Sequence, residues 1–395
     1  AARARIGDVI VRTPTVPALA LRHRLPCPLW LKLETFQRTG SFKDRGALNR
    51  MLDLSPEQRK KGVVTASAGN HAQAVAYHGG RLGIPVEVVM PVHTPMVKVL
   101  NTRGFGAGVR FHGATLTESM TEARRIESEE GKTLIHPFDD ERVIAGQGTI
   151  GLELLEALPD LTAVVVPIGG GGLIGGIATA LRAAKPGIKV YGVEAAAAAS
   201  AIESVEAGKI VPLESADTIA DGIAVKRIGE LTFPLLQNQV DGIVAVTEDQ
   251  IAAAVHLLLE YEKTLTEGAG AVPLAAVLNG LLPLTEKDTV AAVISGGNID
   301  LGLMERIVDR GRVQDGRLAR LAVKVPDRPG QLSVLTQLVA GAGANVLEVV
   351  HARAFADISV RDVEIILQLE TRGPEHVAEL TELLEKRGMT VEAVV

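Results

Sequence analysis

The sequence predicts an α/β protein with a smaller α+β domain at its C-terminal end, on three observations. Short β-branched runs alternate with Ala- and Leu-rich helical stretches between about residues 60 and 300. Several of the runs are apolar throughout, as strands of a parallel sheet covered on both faces are. Near residue 311 the pattern changes to alternating strands and amphipathic helices.

Strands are read at 62–67 (GVVTAS), 86–91 (VEVVMP), 108–113 (GVRFHG), 162–168 (TAVVVPI), 189–194 (KVYGVE), 242–247 (GIVAVT) and 290–295 (VAAVIS). Helical stretches such as 251–264 lie between them. In the tail, Leu321, Val323 and Val325 alternate on a first strand, and Leu332, Leu335, Leu338 and Val339 share one helical face. A strand over 345–353 follows, then one over 362–371 with Val363, Ile365, Leu367 and Leu369 alternating. A second helix carries Val377, Leu380, Leu383 and Leu384, and a strand over 389–395 closes the chain. Strand-helix-strand-strand-helix-strand is the ferredoxin-like order, so residues 318–395 read as a separate domain.

With 395 residues the chain can form two or three domains, each burying its own core. Aromatics are 3% against 41 glycines, so cores must be built from Val, Leu, Ile and Ala joined by tight turns. A net charge of −6 without a long Lys/Arg run excludes a nucleic-acid footprint. The one cysteine, Cys27, excludes internal disulfides and Cys-rich zinc sites, fits a reducing cytoplasm and reads as a small buried hydrophobe. The N-terminal stretch has no apolar segment of signal-peptide length. Residues 163–181 are uncharged, but their glycines and proline make a poor membrane-spanning helix, so a buried strand, loop and helix is expected.

The strongest motif is PIGGGGLIGG at 167–176, which follows a strand and opens a helix. Its backbone N–H groups and the helix N-terminus make an anion site, most often for phosphate, and consecutive glycines let the backbone close around the anion. A bare strand-to-helix turn is the plain alternative. Gly170, Gly172 and Gly175 also match G-x-G-x-x-G, with Glu194 ending the next strand where a ribose-binding acid belongs. An NAD-dependent oxidoreductase is therefore a reading from another class.

TASAGNHAQAVAYH at 65–78 reads as a strand ending at Ser67, a tight turn at Gly69-Asn70-His71 and an Ala-rich helix. Such a turn suits a carboxylate or a phenolic oxygen; a capped helix start with a solvated His71 is the alternative. In TGSFKDRGA at 39–47, Thr39, Gly40 and Ser41 can cap a helix beginning near Phe42. Lys43 then lies in the first turn, where the dipole disfavours a cation and lowers its pKa. If also desolvated, such a lysine can form a Schiff base, whereas a lone lysine is ordinarily a solvated charge. AAVISGGNID at 291–300 puts Ser295 at the C-terminal edge of a strand, where ligands bind in open α/β sheets, and EGAGA at 267–271 is a similar loop.

In this order and spacing, TGSFKDRGA, SAGNHAQ, PIGGGGL, EGAGA and SGGNID resemble the pyridoxal-phosphate enzymes of the tryptophan-synthase-β type (fold type II). Among them the resemblance is to the threonine dehydratases (threonine ammonia-lyases), over nearly all of residues 5–315. PDRPGQL (326–332) and GANVLEV (343–349) resemble a single ACT domain, a module that binds amino-acid effectors. The resemblance implies a catalytic unit over 1–315, with a smaller subdomain of about 40–140 inserted in the larger, and an ACT regulatory domain over 318–395.

It also implies roles. Lys43 would hold pyridoxal 5'-phosphate as an internal aldimine, with Phe42 against the ring and Asn70 on the phenolic oxygen. Gly169, Gly170, Gly171, Gly172 and Leu173 would hold the phosphate, and Ser295 would face the pyridine nitrogen. Ser67, Ala68, Gly69, Asn70 and His71 would receive the substrate carboxylate. The implied activity is β-elimination from L-threonine to 2-oxobutanoate and ammonia, and more slowly from L-serine. The freed lysine amine would take the Cα proton while the cofactor acts as electron sink. An effector is expected near Asp327, Arg328, Pro329, Gly330 and Asn345. The implied protein is a cytoplasmic homo-oligomer, dimer or tetramer, of isoleucine biosynthesis or threonine breakdown, without nucleic-acid or membrane partners.

Some residues depart from the family pattern. Dehydratases commonly carry an apolar residue after the lysine, whereas Asp44 gives KDRG, a spelling typical of threonine synthase. The SAGNHAQ loop and the ACT-like tail are foreign to that enzyme. Serine racemases usually have a serine at the position of Ala68 as a second proton carrier, so net racemisation is not expected. The acid that helps the racemases bind a divalent cation is replaced by Ser200, two residues beyond Ala198, so no divalent metal is expected, while Glu194 leaves room for a monovalent ion. A dinucleotide site would explain the glycine loop alone. A silent amino-acid sensor on the same fold is opposed by the intact Lys43.

Overall fold

Parallel strands and covering helices build the first of two compact units, residues 1–300, in a computed structural model that describes residues 1–352, 359 and 361–393. Its strands are β1 (Thr15–Pro17), β2 (Leu29–Leu33), β3 (Val63–Ala66), β4 (Val86–Met90), β5 (Gly108–Phe111), β6 (Thr133–Leu134), β7 (Ala163–Pro167), β8 (Lys189–Ala195), β9 (Gly242–Val246) and β10 (Val290–Ile294). They form a six-stranded sheet in the order β1-β2-β10-β7-β8-β9 and a four-stranded sheet in the order β5-β4-β3-β6. Every pairing is parallel except that of β1 with β2.

The apolar runs behave as expected. Every residue of β7 and β10 is buried, because helices cover both faces of the larger sheet. Ile150, Leu154, Val164, Val166, Ile174, Ile177, Val190 and Val293 make up its core, which is aliphatic as the composition requires. Residues 163–181 are β7, the glycine turn and part of the helix Gly172–Ala184. No helix among the described residues is long and apolar enough to cross a membrane. The sequence pattern misses β1, β2 and β6. The strand β1 is three residues long and ends in a proline, which an edge strand tolerates. In β2, Lys32 interrupts an apolar run, yet it is 1% exposed.

Lys32 belongs to a buried ion cluster. Arg45 donates to both oxygens of Glu34 at 2.8 Å and to Glu153 at 2.6 and 2.9 Å. Lys32 donates to Glu153 at 2.6 Å and to the Thr13 carbonyl at 2.8 Å. Two cations and two carboxylates thus compensate one another away from water. Burial opposes the charge on Glu34, but Arg45, Lys32 and Thr13 outweigh it and hold the carboxyl below its ordinary range. The cluster ties the helix Lys43–Leu52 to β2, to the turn after it and to the helix Thr149–Ala157.

The second unit, residues 301–395, opens with the helix Leu301–Gln314. Strands β11 (Leu318–Pro326), β12 (Asn345–Ala352), β13 (Asp362–Glu370) and β14 (Thr390–Ala393) follow, with helices Gln331–Gly341 and Pro374–Lys386 between them. All pairings are antiparallel, in the order β12-β13-β11-β14, so the strand-helix-strand-strand-helix-strand order is present. Leu321, Val323, Val325, Leu335, Val339, Val363, Ile365, Leu367, Leu369, Leu380 and Leu384 form its core. Leu332, in the first turn of the helix, begins the stripe and is 39% exposed. Arg353 and the last two valines of the expected strands lie outside the described residues.

Arg45→Met is expected to lower the unfolding free energy by about 3–5 kcal/mol, because two buried carboxylates lose their partner; urea unfolding at pH 7 measures it. The folded pKa of Glu34 lies below its unfolded value, so its contribution is whole above about pH 4.3 and is lost as pH falls through the folded value. Glu34→Gln should flatten that acid limb.

Candidate active site

Backbone pairing brings the first and last loops together. Ser41 bridges Gly296 in antiparallel fashion, Phe42 N–H donates to the Ser295 carbonyl at 3.0 Å, and Gly297 N–H donates to the Gly40 carbonyl at 2.9 Å. Gly40 has φ +75°, and a Cβ on it would stand 2.9 Å from Asn298 Oδ1, so glycine is required there. The helix starts at Lys43, with Phe42 at its N-cap and no side chain capping it. That corrects the expected cap by Thr39, Gly40 and Ser41. The polarity is reversed: buried Asp44 accepts from Thr39 N–H at 3.0 Å and from Thr39 Oγ1 at 2.8 Å. His78 Nε2 stands 3.3 Å from the same carboxylate.

Lys43 Nζ donates to the Pro137 carbonyl at 2.8 Å. Burial pushes its pKa down to about 8, against the charge of Glu267, which pulls it back up. The half-buried ring of Phe42 packs against the core of the larger sheet.

Ser67, Ala68 and Gly69 form the turn after β3, and Asn70 opens the helix Asn70–Leu82. Asn70 and His71 are therefore the first helical residues and not part of the turn. Ser67 Oγ accepts from Gly69 N–H at 3.2 Å. Asn70 Nδ2 donates to Glu267 Oε1 at 2.7 Å, while Asn70 Oδ1 accepts from Asn298 Nδ2 at 2.7 Å. His71 is 2% exposed, not solvated, with Nε2 2.9 Å from the Ile135 carbonyl oxygen. Burial, helped by the charge of Lys43, pushes its pKa down to about 3, so the ring is neutral.

The glycine loop follows β7, with Gly171 at φ +88° and the helix starting at Gly172. The amides of that first turn have no carbonyl four residues back to bond. A Cβ on Gly170 would collide with the Phe138 ring, and one on Gly172 would stand 2.8 Å from the Phe138 carbonyl oxygen. Thr232 Oγ1 donates to the Gly170 carbonyl at 2.7 Å, and Leu173 is buried behind the turn. Glu194 is committed elsewhere: its two oxygens accept the Ala201 and Ile202 amides at 2.9 Å, at the start of the helix Ser200–Ala207.

Sequence reasoning passed over HPFDD at 136–140. Pro137 receives Lys43, Phe138 lies on Gly170, and Asp139 accepts from the Glu230 and Leu231 amides at 3.0 and 2.8 Å. Asp140 caps the helix Glu141–Gln147 and pairs with Arg50. A capping acid before a helical run was a visible signal; the contacts with the glycine loop were not, since they join distant segments. Glu267, inside EGAGA, was likewise unremarked.

In the second unit, Asp327, Arg328, Pro329 and Gly330 lead into the helix Gln331–Gly341, next to the end of β11 that pairs with Asp362. Asn345 pairs with Glu370, opposite Leu318 at the other end of the sheet. The two groups are separated by the length of β11, roughly 27 Å. One copy of the unit does not bring them together.

The ends of β3, β7 and β10 thus converge around Lys43, the arrangement of an α/β enzyme whose site lies between two parallel sheets. The chain belongs to the pyridoxal-phosphate dependent enzyme family, whose model matches residues 6–296. It is similar to the L-threonine ammonia-lyase of Thermotoga maritima, 46% identical over 393 residues that are 100% of this chain and 98% of the relative. The L-threonine ammonia-lyase of Geobacter sulfurreducens is 46% identical over 390 residues, 99% of this chain and 97% of the relative. Among solved structures, the processed threonine deaminase isoform 2 from Solanum lycopersicum has TM-score 0.74 and 41% identity, covering 77% of this chain and 89% of that one. A maize serine racemase has TM-score 0.74 and 37% identity, covering 79% and 96%.

The residues present fit pyridoxal phosphate, the cofactor of that family. Lys43 offers an amine of lowered pKa, and the glycine turn leads into the N-terminus of the helix Gly172–Ala184, where backbone N–H groups suit a phosphate. Ser41 Oγ and His71 Nδ1 are buried polar atoms with no hydrogen-bond partner among the described residues.

Asp44→Ala is expected to lower stability by about 1–3 kcal/mol, because the Thr39 amide and hydroxyl lose their acceptor, as read by urea unfolding. His71 titrates near 3 folded and about 6.5 unfolded, so its contribution is whole above pH 6.5 and is lost as pH falls toward 3. At pH 5 the loss from His71 is about 2 kcal/mol. An unfolding free energy that is the same at pH 7 and pH 5 would contradict a neutral buried ring.

Proposed function

We propose that the chain is a threonine ammonia-lyase, which eliminates water from L-threonine, the resulting enamine then taking up water to give 2-oxobutanoate and ammonia, and that it acts more slowly on L-serine. The observation that carries this is a half-buried lysine of lowered pKa set beside a glycine turn and an asparagine-bearing helix start. Similarity to L-threonine ammonia-lyases over nearly the whole chain supports it.

When bound, pyridoxal phosphate supplies an electron sink that acidifies the substrate Cα–H. Lys43 would hold the cofactor's aldehyde through Nζ, and its free amine would accept the Cα proton. The Pro137 carbonyl orients the amine. The amides of Gly169, Gly170, Gly171, Gly172 and Leu173 would bind the phosphate, Asn70 would donate to the phenolic oxygen, Phe42 would flank the ring, and the Ser295 hydroxyl would be a neutral partner for the pyridine nitrogen. Ser67, Ala68, Gly69, Asn70 and His71 receive the substrate carboxylate, with His71 acting as a neutral hydrogen-bonding group because its pKa is near 3. Ala68 has no proton to give, so elimination is favoured over the racemisation named for the maize relative.

The second unit acts as an ACT domain on this proposal, binding an amino-acid effector at the loop 327–330, and the protein works as a homo-oligomer. A reducing cytoplasm suits the lone Cys27, whose thiol burial pushes up to about 11. The product belongs to isoleucine biosynthesis or threonine breakdown.

Purified protein given L-threonine should release 2-oxo acid in a reductase-coupled assay, and no release would refute the substrate. Lys43→Ala should lower kcat by at least about 10²–10⁴-fold. Cofactor-free protein mixed with pyridoxal phosphate should form a borohydride-fixed adduct on Lys43, at a rate that climbs toward pH 8 and levels above it. Isoleucine, valine or threonine should raise the melting temperature, and no shift with any of them would sink the effector site.

A further inference from the structure

We infer that Glu267 is a positioning residue that fixes which end of the Asn70 amide faces the cofactor. The inference rests on the proposal that Asn70 hydrogen-bonds the phenolic oxygen.

An amide side chain has one acceptor end and one end with two N–H donors. Asn70 has both ends engaged: Nδ2 gives one hydrogen to Glu267 Oε1, and Oδ1 takes one from Asn298 Nδ2, each at 2.7 Å. Asn298 gives its other hydrogen to the Thr39 carbonyl at 2.8 Å, so its nitrogen is a donor on both sides. One hydrogen of Asn70 Nδ2 remains. Turning the Asn70 amide over would set its oxygen against the Glu267 carboxylate and its nitrogen against the Asn298 nitrogen. Both bonds would be replaced by contacts between like poles. Glu267, together with Asn298, therefore fixes which end of the Asn70 amide carries the spare hydrogen.

The carboxylate is itself held in place. Glu267 is 3% exposed and its own N–H donates to the Gly296 carbonyl at 3.0 Å. A Cβ on Gly296 would stand 2.5 Å from Glu267 Oε1 and 3.1 Å from Asn70 Nδ2, and one on Gly222 would stand 3.1 Å from Oε1. The glycine after Ser295 thus clears the space in which the carboxylate and the amide meet. Burial and the nearby Asp221 push the Glu267 carboxyl up to about 7, against the Asn70 hydrogen bond and the charges of Lys98 and Lys43. Lys98 is paired with Asp221 at 2.6 Å. Protonated, Glu267 could donate as well as accept and would no longer discriminate between the two ends of the amide.

The test is a double-mutant cycle on the full-length protein, reading pyridoxal-phosphate affinity and the absorption maximum of the bound cofactor. Asn70→Ala and Glu267→Ala should each weaken binding about 10-fold or more, and the double variant should be no weaker than the worse single one. Glu267→Gln can donate as well as accept, so above pH 7 it should bind more weakly than the parent but more tightly than the alanine variant. Losses that multiply in the double variant, a Glu267→Ala protein that binds normally, or a Glu267→Gln protein as weak as the alanine variant would overturn the inference. If Glu267→Ala does not fold, the parent's affinity should fall below pH 7 more steeply than that of Glu267→Gln, and parallel pH profiles would overturn it. A parent that forms no borohydride-fixed adduct on Lys43 refutes the proposed function and this inference together. A normal adduct with an additive cycle refutes this inference alone.

Discussion

The pairing of residues 40–42 with 295–297 is the constraint on which the site depends. Lys43 begins a helix on one side of that pairing, while Ser295 and Asn298 flank the other. Backbone bonds of this kind do not depend on side-chain rotamers, so the lysine and the last loop are set relative to each other before any side chain is placed. Asn298 then extends the constraint to Asn70 and to the Thr39 carbonyl, linking the helix after β3 to the same frame.

The residues after the pairing divide three tasks by helical geometry. Successive positions on a helix point about 100° apart. Lys43 turns toward the Pro137 carbonyl, Asp44 toward Thr39 and His78, and Arg45 toward the buried cluster of Glu34 and Glu153. Asp44, the residue whose spelling is foreign to the dehydratase pattern, thus holds the loop leading to the lysine from the far side. Arg45 anchors the same helix to the larger sheet. The half-buried lysine therefore has a fixed position.

Burial also sets the electrostatics around it. The pKa of Lys43 falls to about 8 and that of Glu267 rises to about 7, so both titrate near neutrality, while His71 at about 3 stays uncharged. In water none of these values would arise; each follows from removing a charged form from solvent with incomplete compensation.

The loops that carry the site were legible in the sequence because their signals are local. A glycine run after an apolar strand, SAGNH before an Ala-rich helix, and SGG after β10 announce sharp turns at strand ends. The alternation on β11 and β13 is equally local, and both strands appear where their patterns lie. The buried roles of Lys32, Arg45, Glu267 and Asp139 left no such signal, because their partners are remote: Asn70 and Glu267 are 197 positions apart. The sequence by itself determined the order of elements and the kinds of residue at each strand end, since backbone preference and periodicity act over a few residues. Only the tertiary structure decided which charges are buried and what each one holds, because burial is conferred by segments that meet only after folding.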